Sequence, residues 1–355
     1  MHSPPSAPLD ADKTAVLTQL LQRLRPWLDN PEVTEIVIDR PDVVLAKGAA
    51  HWQSHVSGGI GLGYLQALAN AVITANGLGT GPLTSAVLPG GERVQIVRPP
   101  VLPDGRISLA IRKHMATVKT LEELAAEGAF AATRDVSFHQ LNAEEANTHA
   151  ARSDHLRLSH EDLELLELKR QGAWTAFLLA CIARRRNIII AGATGSGKTT
   201  FARSLIERVP TAERLITIED VRELFLPNHP NQVNLLYGHG AGRVDATRCI
   251  ATCMRLSPDR LFLAELRGDE AWEYLTALNT GHPGSIATTH ANSAADTFDR
   301  VSLLVKQSPV GRTLELPALR QLLLRTLDVV LYLERRHVRE VFFDPLYARS
   351  VEALR

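Results

Sequence analysis

Residues 188–200 read Ile-Ile-Ile-Ala-Gly-Ala-Thr-Gly-Ser-Gly-Lys-Thr-Thr, an apolar run that passes directly into G-x-x-x-x-G-K-T. An apolar strand that ends in a glycine-rich turn and continues as a helix is a narrow specification. Gly192, Gly195 and Gly197 let the backbone fold tightly, so that consecutive N–H groups point inward as a nest for a phosphate. Lys198 would set its ammonium between the β- and γ-phosphates, and the Thr199 hydroxyl would hold Mg²⁺. The helix starting there turns its positive dipole end to the same anion. A chance glycine-rich turn shares the spacing but lacks the strand before it and the helix after it. Gly192, Ala193, Thr194, Gly195, Ser196, Gly197, Lys198, Thr199 and Thr200 are therefore the expected cradle for ATP.

A chain of 355 residues predicts about two domains. Lys plus Arg and Asp plus Glu both number 39, so no global field favours nucleic acid or an acidic membrane. The start, Met1-His2-Ser3-Pro4-Pro5-Ser6, has neither a cationic segment nor an apolar stretch, and a secretory leader is not expected. The apolar runs Phe177–Ala183 and Ile188–Ala193 are split by Arg184-Arg185-Arg186, short of the ~20 residues of a membrane span. A cytoplasmic protein is the expectation. Cys181, Cys249 and Cys253 form no Cys-x-x-Cys pair and read as buried apolar positions.

Val16, Leu17, Leu20, Leu21, Leu24, Trp27 and Leu28 recur at helical spacing over 13–28. That helix reads as packing on an N-terminal domain in preference to a membrane-surface helix, since its polar face is not strongly basic. Strand-like runs follow at 33–38, 43–46, 83–88, 93–98 and 107–112, with a helix near 62–76. They predict a small α+β domain over 1–115. Residues 116–170 turn polar and Ala-rich, with candidate helices at 121–127 and 160–169, and read as a partly helical linker. From 171 to 355 strands and helices alternate, which predicts a mostly parallel sheet covered on both faces. Strands are expected at 187–191, 214–218, 260–264, 285–289, 328–333 and 338–343.

Polar residues follow these strands. Glu219-Asp220, then Arg222 and Glu223, follow the second; Glu265, then Arg267, Asp269 and Glu270, follow the third; His290 follows the fourth. Open α/β sheets bind ligands at the carboxyl ends of their strands, so these groups converge with the phosphate nest. Phosphoryl transfer to water needs a metal-binding hydroxyl and carboxylate, a group that orients water, and cations on the developing charge. Glu265 is the expected acid near Mg²⁺, either through water or as the group that polarises the nucleophile. Glu219 is the expected water-orienting base; Glu219 and Asp220 could also cap a helix after the strand, and the two roles are compatible. His290, beside Thr288 and Thr289, is the expected γ-phosphate sensor, and His282 shapes a turn or joins it. Only Arg222 and Arg267 stand near as cations, which invites a supply from a neighbouring subunit or the N-terminal domain.

Four runs in order, GATGSGKTT (192–200), TIEDVREL (217–224), LFLAELRGDEAWE (261–273) and GHPGSIATTHAN (281–292), resemble the four boxes of the secretion traffic ATPases. These are the nucleotide-binding motif, the Asp box, a Walker B motif with Glu in place of Asp, and the His box. GERVQIVRPP (91–100) and SLAIRKH (108–114) resemble the N-terminal domain of the type IV secretion branch, the VirB-eleven group. The resemblance implies a RecA-like C-terminal domain with a PAS-like N-terminal domain, stacked as two rings in a homo-hexamer. It implies that Arg93 and Arg112 reach the triphosphate, and that the motor sits peripherally on the cytoplasmic face of the inner membrane with inner-membrane components of the secretion system as partners. A nucleic-acid translocase on the same core and a nucleotide-gated scaffold with marginal turnover are the alternatives. No aromatic–basic stacking motif supports the first.

Overall fold

The computed structural model describes residues 11–48, 51–113, 119–238 and 244–352. The described residues up to 113 form one compact unit and those from 119 onwards a second, so the expected boundary near 115 lies outside the described residues.

The first unit holds helices α1 (Ala11–Leu21), α2 (Arg25–Leu28) and α3 (Leu62–Ala75). Its six strands are β1 (Glu35–Arg40), β2 (Val43–Lys47), β3 (Trp52–Val56), β4 (Leu83–Val87), β5 (Arg93–Val97) and β6 (Ser108–Arg112). They form one antiparallel sheet in the order β3-β2-β1-β6-β5-β4. Alternate residues Ile36, Ile38, Val94, Ile96, Leu109 and Ile111 are buried, as period two requires, against Leu65, Leu68 and Val72 of α3 and Leu17 and Leu21 of α1. Tyr64 Oη donates to the Leu20 carbonyl at 2.7 Å and ties α3 to α1. The 13–28 stretch is thus a packing element of this unit.

The second unit contains helices α4 (Leu121–Ala126), α5 (Ala143–Ala150), α6 (His160–Arg170), α7 (Trp174–Ala183) and α8 (Lys198–Ile206). They are followed by α9 (Ala246–Cys253), α10 (Glu270–Asn279), α11 (Ala294–Val305), α12 (Leu316–Thr326) and α13 (Pro345–Glu352). Its strands are β7 (Arg134–Asp135), β8 (Ile188–Gly192), β9 (Leu215–Glu219), β10 (Gln232–Leu236), β11 (Arg260–Leu266), β12 (Ile286–Thr289), β13 (Val329–Glu334) and β14 (His337–Phe342). The order is β10-β9-β11-β12-β8-β13-β14-β7, parallel from β10 to β13, with β14 antiparallel to β13. Every residue of β8 is buried. Ile188 and Ile190 face Phe177, Phe201 and Leu205 on one side, and Ile189 faces the cluster of Ile250, Tyr274, Val301 and Leu323 on the other. Two covered faces turn the alternating code of a strand into a continuous apolar run.

Residues 119–170, which the sequence presents as a linker, pack within the second unit. Leu121, Leu124, Leu158, Leu165 and Leu166 share a buried cluster with Ile188 and Ile190. Capping boxes open α4 (Thr120 with Glu123), α5 (Asn142 with Glu145) and α6 (Ser159 with Asp162). The two-residue β7 adds an edge strand parallel to β14. Buried Lys169 fastens the segment: its ammonium donates to Ser137 Oγ at 2.8 Å and the Phe343 carbonyl at 2.9 Å, and lies 2.9 Å from Asp135 Oδ2. Removing one partner of a buried pair strands the other. Lys169→Ala should therefore lower the unfolding free energy of the second unit by about 3 kcal/mol in urea denaturation. A loss within measurement error would show that this segment is not anchored through Lys169.

Candidate active site

The phosphate loop joins β8 to α8, and its backbone admits only glycine where it turns most sharply. Gly192 has φ 153°, and a Cβ there would lie 2.4 Å from the Leu333 carbonyl oxygen and 2.6 Å from Ser196 Oγ. Gly197, at φ 97°, precedes Lys198 as the N-cap of α8. Inside the loop the buried Ser196 hydroxyl has no partner among the described residues. The Thr199 hydroxyl, one residue into α8, has none among the described residues either. Lys198 is buried and folds back over the loop, donating to the Gly192 carbonyl at 2.8 Å and the Ala193 carbonyl at 3.0 Å. A nest with orphan hydroxyls and a lysine laid across its mouth fits a polyphosphate.

Parallel pairing brings the ends of β8, β9, β11 and β12 to one edge. The register of β11 against β12 shifts between Leu263 and Leu266, where three steps on β11 meet two on β12. This bulge re-aims Glu265. The carbonyls it frees are taken by threonines: Thr288 Oγ1 donates to Ala264 O at 2.6 Å and Thr289 Oγ1 to Leu266 O at 3.2 Å.

A line of contacts runs from the loop through Glu265. Lys198 Nζ lies 3.5 Å from His290 Nδ1, and His290 Nε2 lies 2.5 Å from Glu265 Oε1. Glu265 Oε2 accepts from Arg267 Nη2 at 2.6 Å, and Arg267 Nη1 donates to Asp220 Oδ2 at 2.7 Å. Burial, reinforced by the Lys198 charge and opposed by Glu265, lowers the His290 pKa, so the ring is neutral at pH 7. A ring N–H of His290 also donates to the Gly192 carbonyl, which works against that lowering. Burial works against the Arg267 charge, but hydrogen bonding to Glu265 and the Asp220 carboxylate raise its pKa above the ordinary arginine value.

Glu219 is placed differently from its neighbours. It is fully buried at the end of β9, where Oε2 accepts from the Glu223 and Leu224 amides at 2.6 and 2.7 Å and Oε1 from Thr217 Oγ1 at 3.0 Å. Its carboxylate thus holds the 220–224 loop, which presents Asp220 to Arg267. Burial pushes its pKa up to about 7, against the pull of those hydrogen bonds. Arg222, the other cation expected near the loop, stacks 4.9 Å over Phe225. His282 lies before the amino end of β12, with Nδ1 3.0 Å from the Pro258 carbonyl, and joins no part of the cluster. Arg93 and Arg112 belong to the first unit, directly opposite each other on β5 and β6 in a row with Glu35 of β1.

The chain as a whole is similar to known proteins. The family model described as "Type II/IV secretion system protein" matches residues 149–340. The VirB11 protein of the Brucella suis type IV secretion system is 38% identical over 346 residues, covering 93% of this chain and 91% of its own. The chain belongs to the type II/IV secretion system protein family. PtlH of the Bordetella pertussis type IV secretion system is likewise 38% identical, covering 92% of each chain. The crystal structure of the Brucella suis VirB11 ATPase in complex with sulphate aligns over 97% of this chain and 98% of its own, with a TM-score of 0.54. The chain has the RecA-like fold of the secretion ATPases and is an ATP hydrolase. Among its described residues no helix is long and apolar enough to cross a membrane.

The Glu219 carboxyl makes a testable demand of this secretion ATPase. Below pH 4.5, the ordinary value, folded and unfolded chains both carry the proton; between 4.5 and about 7 only the folded chain keeps it. This group's contribution to stability therefore falls as pH rises towards 7. Glu219→Gln accepts the same two amides and does not titrate. Thermal unfolding should show wild type losing stability relative to the variant between pH 5 and pH 7.5; parallel curves would contradict the buried, protonated carboxyl.

Proposed function

We propose that this chain is a hexameric motor on the cytoplasmic face of the inner membrane. ATP hydrolysis in it drives assembly of, or transport through, a type IV secretion system with inner-membrane components as partners. The observation that carries the reading is the unbroken line Lys198–His290–Glu265–Arg267–Asp220 from the phosphate loop to the end of β9. It joins the group that holds the triphosphate to the groups that sense its loss.

In the hydrolytic step, Glu265 takes a proton from water as the water oxygen bonds to the γ-phosphorus. The bond to the bridging oxygen breaks, and ADP leaves with that electron pair. The bulge on β11 and the flanking His290 and Arg267 hold the carboxylate in place for this role, as a positioned base requires. Lys198 transfers its hydrogen bonds from the loop carbonyls to phosphate oxygens and balances their charge. The Thr199 hydroxyl would hold Mg²⁺, which would neutralise phosphate charge when bound, with Glu265 as the nearby acid; Glu265 Oε2 accepts from Arg267, and Oε1 is left without a hydrogen-bond partner among the described residues. Glu219 positions the Asp220 loop and is not itself the base. Arg93 and Arg112, paired across two strands, would add positive charge at the triphosphate from the N-terminal domain. His290, neutral and lying against Glu265, would report whether Lys198 is on phosphate or on the loop.

Two substitutions separate binding from chemistry. Lys198→Ala should abolish ATP binding and turnover. Glu265→Gln should bind ATP with near-normal affinity and hydrolyse it at least about 100-fold more slowly, the scale of a positioned base. Steady-state phosphate release and equilibrium nucleotide binding measure both. A normal rate in Glu265→Gln would remove it from the mechanism. Arg112→Ala should lower turnover while leaving the melting temperature unchanged, and normal kinetics would return Arg112 to a solvated strand face.

A further inference from the structure

The hairpin between β13 and β14 closes in two residues, Arg335 and Arg336, because Glu334 pairs with His337. Both have positive φ, 49° and 68°. A two-residue turn of this hand is favoured by Asn-Gly, and two arginines in the left-handed region are a strained choice for it. Strain of this kind is kept where it serves a site. The turn lies on the phosphate loop: Arg336 N–H donates to the Ser196 carbonyl at 2.9 Å. The Arg336 stem covers Gly197, with Cγ 3.4 Å and Cα 3.7 Å from where a Cβ on that glycine would stand. Leu333, two residues before the turn, supplies the carbonyl that excludes a side chain at Gly192. Both arginines are exposed. Neither guanidinium has an ion-pair or hydrogen-bond partner among the described residues, whereas nearby Arg339 is paired with Glu334.

We infer that Arg336 is a further nucleotide-binding residue, a cation supplied by the same chain to the polyphosphate held in the 192–199 loop, with Arg335 adding to the local field. The inference rests on the phosphate-loop reading above. The geometry supports it because the main chain of Arg336 is fixed to the loop by one hydrogen bond and its stem by packing on Gly197. The guanidinium, three bonds beyond Cγ, is then delivered to the mouth of the nest at little entropic cost. It also answers the shortage of cations: Arg267 is committed to Asp220 and Glu265, and Arg222 to Phe225. An arginine suits the task because its fork matches phosphate oxygens.

Binding of a fluorescent ADP analogue to the full-length chain tests this, with thermal unfolding of the nucleotide-free protein in parallel. Arg336→Gln keeps the stem over Gly197 and removes the charge. It should bind ADP about ten-fold more weakly, the scale of one charge-assisted hydrogen bond, and show a shallower salt dependence at an unchanged melting temperature. Arg336→Lys should recover part of the loss. The double variant Arg335→Asn, Arg336→Gly relieves the turn, and should melt at or above the wild-type temperature while losing at least as much affinity as Arg336→Gln. Wild-type affinity in Arg336→Gln overturns the inference alone, as does an affinity loss matched by a lower melting temperature. Absence of ADP binding by the unsubstituted chain overturns the inference and the phosphate-loop reading together.

Discussion

The site depends on β8 being buried on both faces between β12 and β13. Covered on one side by α7 and α8 and on the other by α9 to α12, the strand cannot shift its register without turning Ile188, Ile189 and Ile190 to the wrong partners. The loop that leaves its end is therefore fixed at both walls. Leu333 of β13 closes on Gly192, and His290 beyond β12 meets Lys198. Catalytic precision here is inherited from core packing.

A second consequence is that one bulge decides the chemistry. Without the extra residue in β11, Glu265 would follow the pleat and its carboxylate would not lie between His290 and Arg267. Thr288 and Thr289 stabilise the irregularity by accepting the role of the missing ladder partners. The result is a line of close polar contacts along one edge of the sheet. Lys198 lies beside the His290 ring, His290 beside Glu265, and Arg267 donates to two carboxylates. Buried Glu219 holds the Asp220 loop at the far end of that line.

Much of this was legible in the residues, for physical reasons that differ from place to place. Parallel strands such as Ile188–Gly192 and Leu215–Glu219 announce themselves as apolar runs because both faces are covered. Strands β3, β7 and β10 do not: Trp52–Val56 is largely exposed, Arg134–Asp135 has only two residues, and Gln232–Leu236 is a half-buried edge. Residues 119–170 look like a linker because their few buried leucines are spread among polar residues that serve as caps. The spacings Thr120/Glu123, Asn142/Glu145 and Ser159/Asp162 were the readable sign of ordered helices. In the candidate site, the strand-end rule groups Glu219, Glu265 and His290, and the parallel strands bring their ends to one edge. It could not tell that Glu219 turns inward while its neighbour Asp220 turns towards Arg267, because that choice belongs to the loop after β9. Arg336 carried no signal at all, since only the hairpin brings it to the phosphate loop.

The proposed motor is a ring, in which activity depends on several chains. Steady-state ATP hydrolysis against protein concentration, with light scattering on the same samples and Lys198→Ala as the blank, tests it most directly. Specific activity should rise as a species near six chains appears. Full turnover by a monomer, with no dependence on concentration, would contradict the account.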